Sequence, residues 1–245
     1  MNERLPQHKP EPLFNVPTVV LAVIGVLAAI HFSLWALGED AQVWALYTLS
    51  FIPSRFGGEA VAFPQGAQYW SFLTYGLLHG DSVHLGSNCL WLLIFSTPLA
   101  RRLGVWRYLV FLVVTVIAGA FAVLFTHWGK MIIVVGASAA VSATLAAAIP
   151  IMFAPGFRAR ASDSFDIRNM RVLSFSELLK SPRALVFAGV FMALTFITGV
   201  SQYLTGTAFL EERNIAWEAH LGGFLVGLAM FYLLDRILVS SKFRA

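Results

Sequence analysis

The sequence predicts an all-α polytopic membrane protein, a bundle of six transmembrane helices with both termini cytoplasmic. Three observations predict it. The 245 residues are 58% hydrophobic and only 12% charged, with a mean hydropathy of +0.73, whereas soluble domains carry about 25% charged residues. Six apolar stretches each hold about 20 residues, enough to cross a ~30 Å hydrocarbon core. Counted from a cytoplasmic N-terminus, fourteen of the seventeen Lys and Arg fall on the inner side, as basic residues of short loops do.

The elements follow in order. Residues 1–16 form a polar tail containing Pro6, Pro10 and Pro12. The apolar run at 17–37 has no small-residue cleavage site near its end, so it reads as a retained span and not as a signal peptide. Further spans are expected at 82–100, 105–127, 132–153, 184–206 and 216–238, making 17–238 one domain before a short tail, 239–245. Backbone in hydrocarbon must satisfy its own hydrogen bonds, so each span is a helix. The outer connection 38–81 mixes aromatics (Trp44, Tyr47, Trp70) with turn formers (Pro53, Gly57, Pro64), a pattern expected of a loop lying in the membrane interface. The cytoplasmic connection 154–183 is basic, without catalytic character, and is expected to be partly mobile. Cys89 is the only cysteine, which excludes an internal disulfide and a multi-cysteine zinc site. The net charge of +4 reflects sorting by side of the membrane, not nucleic-acid binding. There is no internal repeat of the kind transporters often carry.

Within this apolar frame a few polar residues stand out. Ser138 follows Gly136-Ala137 about a third of the way into the fourth span. His220 lies near the outer start of the sixth span, and a histidine in hydrocarbon is costly. Both spans run from outside to inside, so the two residues share a depth if the helices are neighbours. Ala139, Ala143 and Ala147 recur every four residues on the fourth span. Gly223 and Gly227 do so on the sixth. Such stripes let membrane helices approach closely, although they are also common as generic packing. His84 and Asn88, four apart at the outer end of the second span, share one helical face and sit beside His79. They suit stabilisation of a developing oxyanion, or a structural pair bonded across helices. A metal site needs more ligands than these histidines supply, and no HExxH pattern occurs. Glu218 lies on a different face from His220 and reads as an interfacial charge, as does His127. His31 and Ser142 read as locally bonded residues, and Cys89 as packing. A six-span transporter using His79, His84 and His220 as a proton relay is a rival reading, but it lacks intramembrane acids.

The ordered set Trp70, His79, His84–Asn88, Gly136-Ala137-Ser138 and Ala219-His220-Leu221-Gly222-Gly223 with Gly227 resembles the rhomboid family of intramembrane serine proteases. The resemblance implies a Ser138–His220 dyad without an acidic third member. It implies an oxyanion hole from His84, Asn88 and the Ser138 backbone N–H, with His79, Gly136, Ala139, Gly223 and Gly227 lining or packing the site. It also implies a gate at about 199–215, including Phe209, and substrates that are transmembrane helices cut near their outer ends. Ala139 stands where the family usually has glycine. The family's acidic residue at the inner end of the second span and its Arg beside the loop Trp are replaced by Ala100 and Ser71. An inactive helix-binding relative is the alternative within this resemblance. No cofactor or metal is expected, and the partners are substrate helices and membrane lipid. The expected location is a bacterial inner (cell) membrane.

Overall fold

The computed structural model describes residues 16–57, 64–155, 157, 167–204 and 216–242. Within them lie nine α-helices. These are α1 (Thr18–Leu37), α2 (Glu39–Leu49), α3 (Ala67–Thr74), α4 (Ser82–Leu103), α5 (Val105–Thr126), α6 (Ser138–Met152), α7 (Phe175–Leu179), α8 (Pro182–Leu204) and α9 (Trp217–Lys242). Four of these, α1, α4, α5 and α9, are long and apolar enough to cross a membrane, while α6 and the apolar part of α8 are shorter. The sequence-predicted gate around Phe209 falls largely at 205–215, outside the described residues.

The bundle is built around α6. Every residue from Ala139 to Ile151 is buried. Alanine dominates this helix because larger side chains would hold its neighbours off, and close backbone approach is what joins helices in lipid. Helix α9 packs along it through missing side chains. A methyl built on Gly223 would lie 2.2 Å from the Ala139 carbonyl oxygen, and one on Gly227 would lie 2.6 Å from Ala143 Cα. Gly222 does the same against α5, its would-be methyl lying 2.9 Å from the Ala118 carbonyl oxygen. Helix α1 is peripheral, burying only Val20 and Leu27. It is linked to α4 by His31 Nε2 and Ser82 Oγ, 3.2 Å apart.

The fourth span differs from its expected 132–153. The helix begins only at Ser138, and the run before it is not helical. Phe51 and Val134 exchange two backbone hydrogen bonds of 3.0 Å, an isolated antiparallel bridge. Ile132, Ile133, Val134 and Val135 are β-branched, and β-branched side chains favour extended backbone. Gly136 then takes φ +120°, a region closed to side-chain-bearing residues.

The described parts of the 38–81 connection, 38–57 and 64–81, are folded, not a simple loop. Trp70 Nε1 donates to the Thr48 carbonyl (2.8 Å), and Arg55 donates to the Ser50 and Tyr47 carbonyls (2.6 and 2.7 Å), closing the C-terminal end of α2. Phe51, Phe56 and Phe72 cluster with Phe121 of α5 and with Trp128. The buried Tyr75 hydroxyl donates to the Val116 carbonyl of α5 at 2.8 Å.

On the opposite side, the described part of the 154–183 connection is docked. Arg102, at the end of α4, pairs with Asp235 of α9 at 2.6 Å and donates to the carbonyls of Ile167 and Met170. Thus the α4 end carries a buried base that meets an acid on α9. Ser174 caps α7 in a reciprocal box with Glu177.

Candidate active site

Three helix ends converge near Ser138. The first is α6 itself. Ser138 is its first residue, at the N-terminus and not a third of the way in. The first N–H groups of a helix have no intrahelical partner and carry the positive end of its dipole. The Ser138 carbonyl accepts the Ser142 hydroxyl at 2.9 Å, a local bond that matches the sequence expectation for Ser142.

The second is α4. Asp81 is its N-cap, accepting from the backbone N–H of Val83 and His84, both at 2.8 Å. This signal was visible in the sequence, since Asp before an amphipathic run is a standard helix start, yet Asp81 draws no attention until its role is seen. The cap fixes where the helix begins and therefore which way His84 and Asn88 face. A methyl on Gly136 would lie 2.7 Å from His84 Cε1, 2.8 Å from His84 Nε2 and 3.7 Å from Asn88 Nδ2. Both side chains therefore lie over the Gly136 backbone, two residues before Ser138. Asn88 is buried, and its Nδ2 has no hydrogen-bond partner among the described residues. The ring of His79 packs edge-on against that of His84, with centroids 5.1 Å apart.

The third is α9. His220, in its first turn, is 9% exposed, and its Nδ1 has no partner among the described residues. Its position relative to Ser138 follows from the glycine contacts. Ala139 meets Gly223 and Ala143 meets Gly227, so α6 and α9 run parallel in this register. His220 lies three residues before Gly223 and Ser138 one residue before Ala139. At 1.5 Å per residue the axial offset is only about 3 Å. Among the described residues no hydrogen bond joins Ser138 Oγ to the His220 ring. Such bonds are often long in resting sites.

Glu218, expected from the sequence to be an interfacial charge, is shielded by protein. It is buried, with its carboxylate 3.6 Å from His127 Nε2 at the end of α5. It therefore joins the end of α5 to the start of α9. Ala139 is fully buried. Its methyl fits because position 119 on α5 has none: a Cβ there would lie 2.6 Å from Ala139 Cβ and 2.7 Å from Tyr75 Oη. Sequence reasoning missed Gly119, which lies in an apolar run without a motif. It also missed Tyr75, whose carbonyl accepts the Gly136 N–H at 3.0 Å and so holds the backbone leading to Ser138. No group of three or more His, Cys, Asp or Glu suited to a metal occurs among the described residues.

A family model of the rhomboid domain matches residues 66–237. The chain belongs to the rhomboid family. Members of that family are usually intramembrane serine proteases. The rhomboid match spans the α3–α9 core, including all three helix ends that converge on Ser138, and the apolar helices agree with an integral membrane protein. A comparison with curated proteins gives no match.

Proposed function

We propose that this rhomboid is an intramembrane serine endopeptidase that cuts transmembrane helices near their outer ends. In this reading 17–238 is a six-span catalytic domain, with α6 and α8 as its shorter spans and both termini cytoplasmic. The distribution of Lys and Arg supports that orientation.

Ser138 Oγ attacks the scissile carbonyl carbon while the His220 ring takes the hydroxyl proton. The carbonyl oxygen becomes an oxyanion, received by the Asn88 amide, His84 and the Ser138 backbone N–H, with the α6 dipole adding positive potential. Collapse breaks the C–N bond, and His220 returns the proton to the leaving amine. Water, deprotonated by His220, then hydrolyses the acyl-enzyme. Among the described residues no acidic side chain bonds His220. Burial among packed helices restricts its ring instead.

The observation that carries the proposal is the α6–α9 register, with Gly223 on Ala139, which sets the serine and the histidine at one end of two touching helices. The test is fluorophosphonate labelling and cleavage of a reconstituted model transmembrane helix, comparing wild type with Ser138→Ala and His220→Ala. Wild type should label and cleave, and both variants should do neither. Labelling that persists in Ser138→Ala removes the serine from its role. Helix binding without labelling or cleavage identifies an inactive relative instead.

A further inference from the structure

The side of the molecule away from Ser138 carries two adjoining clefts that catalysis does not use. One, of about 460 Å³, is lined by Arg168, Arg171 and the Arg102–Asp235 pair. The other, of about 450 Å³, is lined by Phe175, Ala229, Leu233 and Arg236. Both share Ser174 and Tyr232. The Tyr232 hydroxyl donates to the Leu173 carbonyl at 3.0 Å, and its ring meets Phe175 edge-on, so the wall between the clefts is fixed.

Charge and depth differ between the two. Asp235 is neutralised by Arg102 at 2.6 Å, and Glu177 is bonded to Arg171 and Ser174. Four arginines thus face two carboxylates, a surplus of two positive charges, with Arg168, Arg171 and Arg236 exposed. The second cleft is apolar apart from Arg236 and Ser174. From Trp217, Ala229 is about 18 Å along α9 and Arg236 about 28 Å, against a hydrocarbon core of ~30 Å. With Trp217 at the outer boundary of the hydrocarbon, as the proposed orientation has it, Ala229 and Leu233 lie within the inner half and Arg236 at its edge.

We infer that the paired clefts bind an anionic glycerophospholipid of the inner leaflet. Its phosphate is held by Arg171 and Arg236 at the level of Ser174, with Arg168 at the mouth, and one acyl chain lies along Ala229 and Leu233. Guanidinium forks match phosphate oxygens, and basic pockets between helices on this side suit such headgroups. A free phosphate would use the first cleft alone. The apolar second cleft, open beside an exposed Leu233, has the chemistry of a chain and favours a lipid.

The test measures thermal unfolding and native mass spectra of detergent-purified full-length protein with added dioleoylphosphatidylglycerol, dioleoylphosphatidylcholine or inorganic phosphate. Phosphatidylglycerol should raise the unfolding temperature and remain bound in the spectrum, for wild type and for Ser138→Ala alike. That arm keeps the outcome separate from proteolysis. Arg171→Ala combined with Arg236→Ala should weaken binding about tenfold or more, equivalent to at least 1.4 kcal/mol. Ala229→Leu, which keeps every charge and remains a good helix former, should also weaken it by filling the chain's groove. Equal binding of phosphatidylcholine, a full effect from phosphate alone, or unchanged binding in both variants overturns the proposal.

Discussion

At the scale of single residues, the site depends on atoms that are absent. Gly136 at φ +120° lies under the His84 ring, so Gly136→Ala forces both backbone strain and a clash. The expected cost is about 1–3 kcal/mol of stability, with fluorophosphonate labelling falling much further than the unfolding temperature. Ala139 makes a sharper case. Its methyl points to Gly119, so Ala139→Gly should leave labelling within about threefold of wild type while costing about 1 kcal/mol in helix stability. Gly119→Ala should be the damaging change, since its methyl meets Ala139 Cβ at 2.6 Å. Overpacking of that kind costs about 1–3 kcal/mol. The double variant Gly119→Ala/Ala139→Gly should recover part of the loss, and a double-mutant cycle in unfolding temperature would reveal the coupling. Additive losses would mean that the two positions do not share one space.

At the scale of elements, two ties hold the helix ends away from Ser138. Arg102→Ala leaves Asp235 buried without its partner. Breaking such a pair costs about 3–5 kcal/mol, so a steep fall in unfolding temperature is expected, and Asp235→Asn should relieve part of it. The α7 cap is pH-dependent. The Ser174 amide and hydroxyl, and then Arg171, hold the Glu177 carboxyl below its usual range. Because the folded value is depressed, this contribution is present at neutral pH. It is lost as pH falls from about 4.3, the ordinary glutamate value, through the folded one. Amides of 177–181 should then exchange faster in wild type, while Glu177→Gln, compared at each pH, should show no such change. Element boundaries were the least legible part of the sequence. The run 132–137 is as apolar as any helix here, and hydropathy cannot separate a short extended run from helix. Its four β-branched residues and Gly136 carried the missing information, but the partner, Phe51, lies 83 positions away. The docking of 167–181 was equally hidden, because Arg102 and Asp235 are far apart in the chain.

At the scale of the whole molecule, the helical membrane character and the family were legible, because composition and spaced motifs are local properties. So was the small-residue register of α6 on α9, since Ala139/Ala143 and Gly223/Gly227 pair as their spacing implies. What makes that register fit, Gly119 on a third helix, needs three dimensions. One dimension of α6 also has a reach beyond packing. Fifteen residues measure about 22 Å, some 8 Å short of a ~30 Å hydrocarbon core. In the proposed orientation the lipid thickness would act as a dial on the serine, because a thicker bilayer raises the outer water surface away from a helix end of fixed height. In vesicles of increasing acyl length, cleavage of a model helix matched to each bilayer should fall while labelling in detergent stays constant. Equal turnover at every thickness would mean that the protein sets its own local depth, deforming the membrane to meet a helix too short to cross it.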